Sequence, residues 1–225
     1  MILQALALTF RLAIVVTAIL MVIALPLGYW LANSRWRGKF LVEALVALPI
    51  VLPPTVLGLY VLMAFGPRTP IGRWYHSITG GSLAFTFRGL VIGSVLYSLP
   101  FAVQPVSAAF SSVDRKLLSA SETLGASRWR TFWRIMLPLS LPGVLTGLVL
   151  SFAHTLGEFG VVLMVGGNIP GATQTVSILI YDQVQALNYH VANQIALLLL
   201  AICFVSLAIL YALRRNHHLD LWEWQ

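Results

Sequence analysis

The chain has 225 residues, 59% of them hydrophobic and only 9% charged, with a formal net charge of +7. A soluble domain carries about a quarter charged residues, so the composition excludes one and points to an integral membrane protein with several helical spans. The basic excess does not indicate nucleic acid, because the cations sit in short loops between apolar runs. The single cysteine, Cys203, lies in an apolar run and cannot form an intrachain disulfide.

Taken in order, the first 11 residues end in Arg11, and about 20 apolar residues follow, enough for a span over 12–32. A secretory signal would have a shorter apolar core and an earlier cationic start. Pro26 and Gly28 are tolerable where neighbouring helices satisfy the backbone. Arg35, Arg37 and Lys39 make a basic loop, and the second span is expected over 41–65. It contains Pro49, Pro53 and Pro54, which cannot sit in a regular helix without freeing carbonyls. Irregular backbone inside a bilayer is tolerated against protein or a water-filled cavity. Pro53, Pro54 and Thr55 are therefore candidates for a bent, pathway-lining segment, with a packing kink as the alternative. Residues 66–87 are polar and rich in Gly and Pro, suited to an external loop, with Trp74 and Tyr75 at the interface. The third span covers 89–110. Gln104 within it faces either the pathway or a neighbouring helix.

Residues 111–143 form the basic stretch between the third and fourth spans, with Arg115, Lys116, Arg128, Arg130 and Arg134. Two short amphipathic helices are expected. In the first, Val113, Leu117, Ala120 and Leu124 share a face, Ser111 with Asp114 forms a capping box, and Gly125 ends it. In the second, Trp129, Phe132, Trp133 and Met136 share a face. Pro138 and Pro142 then break the helix before the fourth span at 141–165. A basic loop held on the anionic inner leaflet would account for the cations alone.

In the fourth span His154 and Glu158 are four apart and are expected on one helix face. A carboxylate at membrane depth suggests function. A metal site would want at least three ligands, and no other His-Glu cluster lies in a span, leaving a gating or packing role. Residues 166–171 form a turn-rich external loop. Thr173–His190, with Val176, Ile180, Val184 and Leu187 on one face, is expected as an amphipathic helix at the outer interface. The last span covers 191–213. Arg214 and Arg215 follow, then a short tail (214–225) with Trp222 and Trp224. If the 111–143 loop faces the cytoplasm, ten cations lie inside and four outside, namely Arg11, Arg68, Arg73 and Arg88. The positive-inside rule then places the N-terminus outside and the C-terminus inside.

The 111–143 loop resembles the signature loop of binding-protein-dependent ABC importer permeases, E-A-A, three residues, G, nine residues, I-x-L-P. Ser119, Ala120 and Ser121 occupy the first slot, Gly125 is the glycine, and Ile135, Leu137 and Pro138 close the pattern. The chain departs from it at Ser119 and Ser121, and Glu122 follows the slot without occupying it. The runs 48–58, 155–160 (Thr-Leu-Gly-Glu-Phe-Gly) and 166–181 are similar to molybdate permeases in particular, with sulfate and tungstate permeases next. The resemblance covers about residues 8–213.

It implies an all-α integral membrane protein with the type I importer permease fold: five transmembrane helices, cytoplasmic coupling helices over 111–140 and an outer interfacial helix. It implies a transporter subunit of the inner membrane, not an enzyme, that docks an ATPase through Ser119, Ala120, Ser121, Glu122, Leu124, Gly125, Ala126, Arg128, Ile135, Leu137 and Pro138. No Gly-x-x-x-x-Gly-Lys-Ser/Thr loop is present, so ATP would be bound by the partner and no cofactor or metal by this chain. The implied partners are a second copy, two ATPase subunits, a periplasmic molybdate-binding protein and lipid, with no nucleic acid. An ATP-independent channel or secondary transporter is the competing class, but repeated halves or several intramembrane coupling residues are not evident.

Overall fold

A computed structural model describes the backbone of residues 1–219. The expected tail with Trp222 and Trp224 lies outside the described residues. The elements are α1 (Ile2–Asn33), α2 (Lys39–Val51), α3 (Pro54–Ala64), α4 (Pro70–Thr79), α5 (Phe87–Ser112), α6 (Arg115–Thr123), α7 (Arg128–Thr131), α8 (Leu137–Gly157), α9 (Gly160–Gly166), α10 (Val176–Gln185) and α11 (Tyr189–Leu219). A π-helical turn, Phe132–Met136, joins α7 to α8.

The core is built on α1 and α5, with Leu12, Val16, Leu20, Leu90, Val103 and Val106 fully enclosed. These two helices run the same way. Near their starts the Arg11 guanidinium lies 4.5 Å from the Phe87 ring centroid. Near their ends Tyr29 meets Phe110 edge-on at 6.2 Å and Phe132 at 5.4 Å. The chain must therefore return between them. It does so through α2 and α3, which form a broken pair bent by 111°. Counted this way α1, α2–α3, α5, α8 and α11 make five crossings, four of them long apolar helices.

The break falls where three prolines gather. Leu52 is extended (ψ 135°), Pro53 is extended (ψ 133°) and Pro54 starts α3 at its first turn, where a missing N–H costs nothing. The fourth crossing breaks as well, and this differs from the continuous span expected over 141–165. Helix α8 stops at Gly157, Glu158 is extended (ψ 132°), and α9 restarts at Gly160. Conversely, Pro138 and Pro142 do not break the chain as expected. Pro138 stands in the first turn of α8 and Pro142 is inside it. The π turn just before Pro138 widens the helix where a proline ring would otherwise crowd the preceding carbonyls. Backbone helix thus runs without interruption over the 30 residues Arg128–Gly157.

The segment expected as an outer interfacial helix is instead packed inward. Val176, Ile178 and Leu179 are buried, whereas Val184 and Leu187 are exposed. The Val176 amide donates to the Thr9 hydroxyl at 2.9 Å, and that hydroxyl donates to Ala5 at 2.8 Å. The tether to α1 rotates α10 so that residues 176, 178 and 179 face the core. Periodicity alone could not anticipate a contact between residues 9 and 176.

Candidate functional sites: a glycine-turned knuckle and a junction of two helix breaks

At one end of the bundle the loop 113–136 forms a knuckle. Asp114 caps α6 by accepting from the Lys116 amide at 2.8 Å. Ser111 takes no part in this cap, because it belongs to the last turn of α5. Ser127 caps α7 in the same way. Between them Gly125 has φ +78° and its amide bonds back to Glu122, the left-handed stop expected of glycine.

The expected stripe of α6 is its outward side, apart from Val113. Val113 is buried and Leu118 packs on the core, while Ser121 points to α7 and shares a buried 2.8 Å hydrogen bond with Thr131. Leu117 (48% exposed), Ala120 and Leu124 (86% exposed) face outward. The second helix departs from its expected stripe. The π turn splits its aromatic stripe, so Met136 is buried and Phe132 half-buried, while Trp129 and Trp133 stay exposed. Of the remaining loop residues, Ser119, Glu122, Arg128 and Pro138 are exposed, and Ala126, Ile135 and Leu137 are half-buried. The knuckle thus presents apolar Leu117, Ala120, Leu124 and Trp129 among exposed arginines. The inter-helix bond at Ser121 comes from a residue where the family pattern has alanine, and Thr131 carried no signal in the sequence.

Deeper in the bundle the two helix breaks meet. A Cβ added to Gly160 would stand 2.8 Å from Pro54, and one on Gly58 would stand 2.7 Å from Met164. The broken second crossing therefore lies directly on the broken fourth. Pro54 is half-buried, and Pro53 and Thr55 are exposed. Glu158 sits at the break and is 4% exposed, with neither carboxylate oxygen hydrogen-bonded. Its polar neighbours are Ser94 and Tyr97 of α5. An unpaired charge at such depth costs about 2.5–3.5 kcal/mol on insertion scales.

His154 and Glu158 do not share a helix face, because the chain leaves the helix between them. His154 is stacked on Phe101 at 3.9 Å and bonds the Ser98 hydroxyl through Nδ1 at 2.9 Å. Ser98 also lies 3.1 Å from the Thr155 hydroxyl, which donates to the Ser151 carbonyl at 2.8 Å. Donors and acceptors balance when Nδ1–H donates to Ser98 and Ser98 to Thr155, which assigns the tautomer. The histidine is thus a satisfied link between α5 and α8. Among the described residues no three His, Cys, Asp or Glu side chains gather as a metal site.

Gln104 is exposed on α5 and lines a 500 Å³ recess with Glu43, Ser107 and Ser111. In a membrane helix an exposed amide needs a polar partner or water. Sequence reasoning missed Ser94, Ser98 and Thr9, since isolated hydroxyls in apolar runs carry no periodic signal.

The arrangement is thus one of packed spans, two breaks in contact, and an exposed knuckle at one end. The family model of the binding-protein-dependent transport system inner membrane component matches residues 24–218, and the chain belongs to that family. Among individual relatives, it is 48% identical to the molybdenum transport system permease protein of Azotobacter vinelandii, over 95% of this chain and 94% of that one. It is 33% identical to the sulfate transport system permease protein of Escherichia coli (strain K12), over 85% of this chain and 68% of that one. The fold is shared with a bacterial alginate ABC transporter crystallised with an alginate-pentasaccharide-bound periplasmic protein. That likeness has a TM-score of 0.77 at 18% identity and covers 95% of this chain and 78% of the other.

Proposed function

We propose that this chain is the membrane subunit of an ABC importer for molybdate, working as a homodimer with two cytoplasmic ATPases and a periplasmic binding protein. The observation that carries the reading is the knuckle, whose apolar Leu117, Leu124 and Trp129 are exposed and whose turn is fixed by Gly125. An ATPase cleft closing over Leu117, Leu124 and Trp129 would bury them and move α8 with it. One chain offers one knuckle, so two ATPases call for two copies around a two-fold axis. The knuckle then faces the cytoplasm, which puts the N-terminus outside, in keeping with the distribution of cations. Molybdate is favoured over sulfate by the higher identity to the molybdenum relative. Uptake of labelled molybdate in competition with sulfate tests this choice, and preferential accumulation of sulfate would refute it.

Leu124→Asp is expected to leave folding intact, because the side chain is 86% exposed, and to abolish co-purification of the ATPase. Retention of the ATPase would remove the knuckle from the docking surface. At the junction, we assign Glu158 to the gate between the two breaks. Glu158→Gln keeps its shape and removes its ionisable group. The expected result is normal insertion with at least a threefold change in molybdate uptake or in basal ATP hydrolysis. Unchanged values of both would make Glu158 a packing residue.

A further inference from the structure

The end of the bundle away from the knuckle carries Arg11, Arg68, Arg73 and Arg88. The acidic residues described lie elsewhere or are engaged. Glu43, Asp114 and Glu122 belong to the knuckle end, Glu158 is buried, and Asp182 accepts from Asn168 and Gln174. Among the described residues the one ion pair is Lys39–Glu43. Two of the four arginines are held by aromatic groups, Phe87 in the first turn of α5 and Tyr75 of α4. Arg11 lies over the Phe87 ring at 4.5 Å, and Arg88 donates to the Tyr75 hydroxyl at 2.8 Å. Both guanidiniums are thereby positioned without being neutralised.

Beneath them a groove of about 810 Å³ opens between α1, α3, α4 and α5. Its walls are apolar: Val15 one turn below Arg11, Ile92 and Leu96 one and two turns below Arg88, with Val61 and Trp74 opposite. Its polar lining is Arg88 and Tyr75 at the mouth. A slot with cations at its mouth and hydrocarbon along its depth matches a molecule with an anionic head and an acyl tail. We propose that the groove is a binding site for an anionic glycerophospholipid of the leaflet away from the knuckle. Its phosphate lies on Arg11 and Arg88, and an acyl chain lies along Ile92 and Leu96. Arg–phosphate pairing is charge-assisted and directional. A zwitterionic lipid would bring its own ammonium in beside these two guanidiniums, so a net negative headgroup is selected.

The test is native mass spectrometry of the whole purified transporter, offered phosphatidylglycerol or phosphatidylcholine with the same acyl chains. The expected result is at least tenfold preferential retention of phosphatidylglycerol. The Arg11→Gln/Arg88→Gln double variant should lose that preference, and Arg68→Gln should keep it. Equal retention of the two lipids, or an unchanged preference in the double variant, would overturn the site. Ile92→Cys provides a second measurement. A disulfide joining two copies through this position would show protein in the groove and would equally overturn it, whereas labelling by a bilayer-soluble maleimide is expected.

Discussion

Replacing Gly125 by valine is expected to reduce molybdate uptake at least tenfold in a protein that still inserts and remains folded. The space around Gly125 is open, with nothing within 4 Å of an added Cβ. The penalty is therefore conformational, since φ is +78°. A left-handed backbone costs about 1–2 kcal/mol for an ordinary L-residue, and a β-branched one is a genuine outlier there. The turn would relax to another geometry, so α6 would leave its fixed angle to α7 and the Ser121–Thr131 bond would break. Gly125→Asn provides the discriminating control, because asparagine tolerates this conformation. Most of the uptake should return. If valine transports normally, or if asparagine is as inactive as valine, the turn geometry does not couple the knuckle to transport.

Gly143→Leu is expected to damage the fold itself, lowering stability by about 1–3 kcal/mol or more. Helix α8 crosses α5 through Gly143 and Gly147. A Cβ on the first would collide with the Ala109 side chain and lie 3.0 Å from the Pro105 carbonyl, and one on the second would lie 2.9 Å from the Ala102 carbonyl. Backbone atoms cannot yield as a side chain can. Small residues four apart are a general means of close helix approach in bilayers. Thermal unfolding of the purified protein checks this. Gly157→Ala should be neutral by comparison, having nothing within 4 Å, and equal melting temperatures for all three proteins would refute the account.

The parts of this architecture that rest on local chemistry were legible in the sequence. The cluster Pro49, Pro53 and Pro54 announces a break in the second crossing, and Gly125 announces a turn. The break at Glu158 was not legible. Its flanking glycines also suit a continuous packed helix, and only the seat of Gly160 on Pro54 distinguishes the two. The common face of Leu117, Ala120 and Leu124 was legible from helical spacing, and it is the side left exposed, whereas Val113, spaced with them, precedes α6 and is buried. Pro138 was misread because a π turn leaves no mark in composition. Thr9, which turns α10 inward, acts across 167 residues of chain.

The uninterrupted backbone from Arg128 to Gly157 has a mechanical corollary. Thirty residues of helix make a rod about 45 Å long at the usual rise per residue. Tilting such a crank by about 5° at its knuckle end sweeps the other tip through about 4 Å, enough to separate groups in van der Waals contact. A small closure of an attached motor would therefore suffice to part the two fractured crossings, and no bending within the rod would be required.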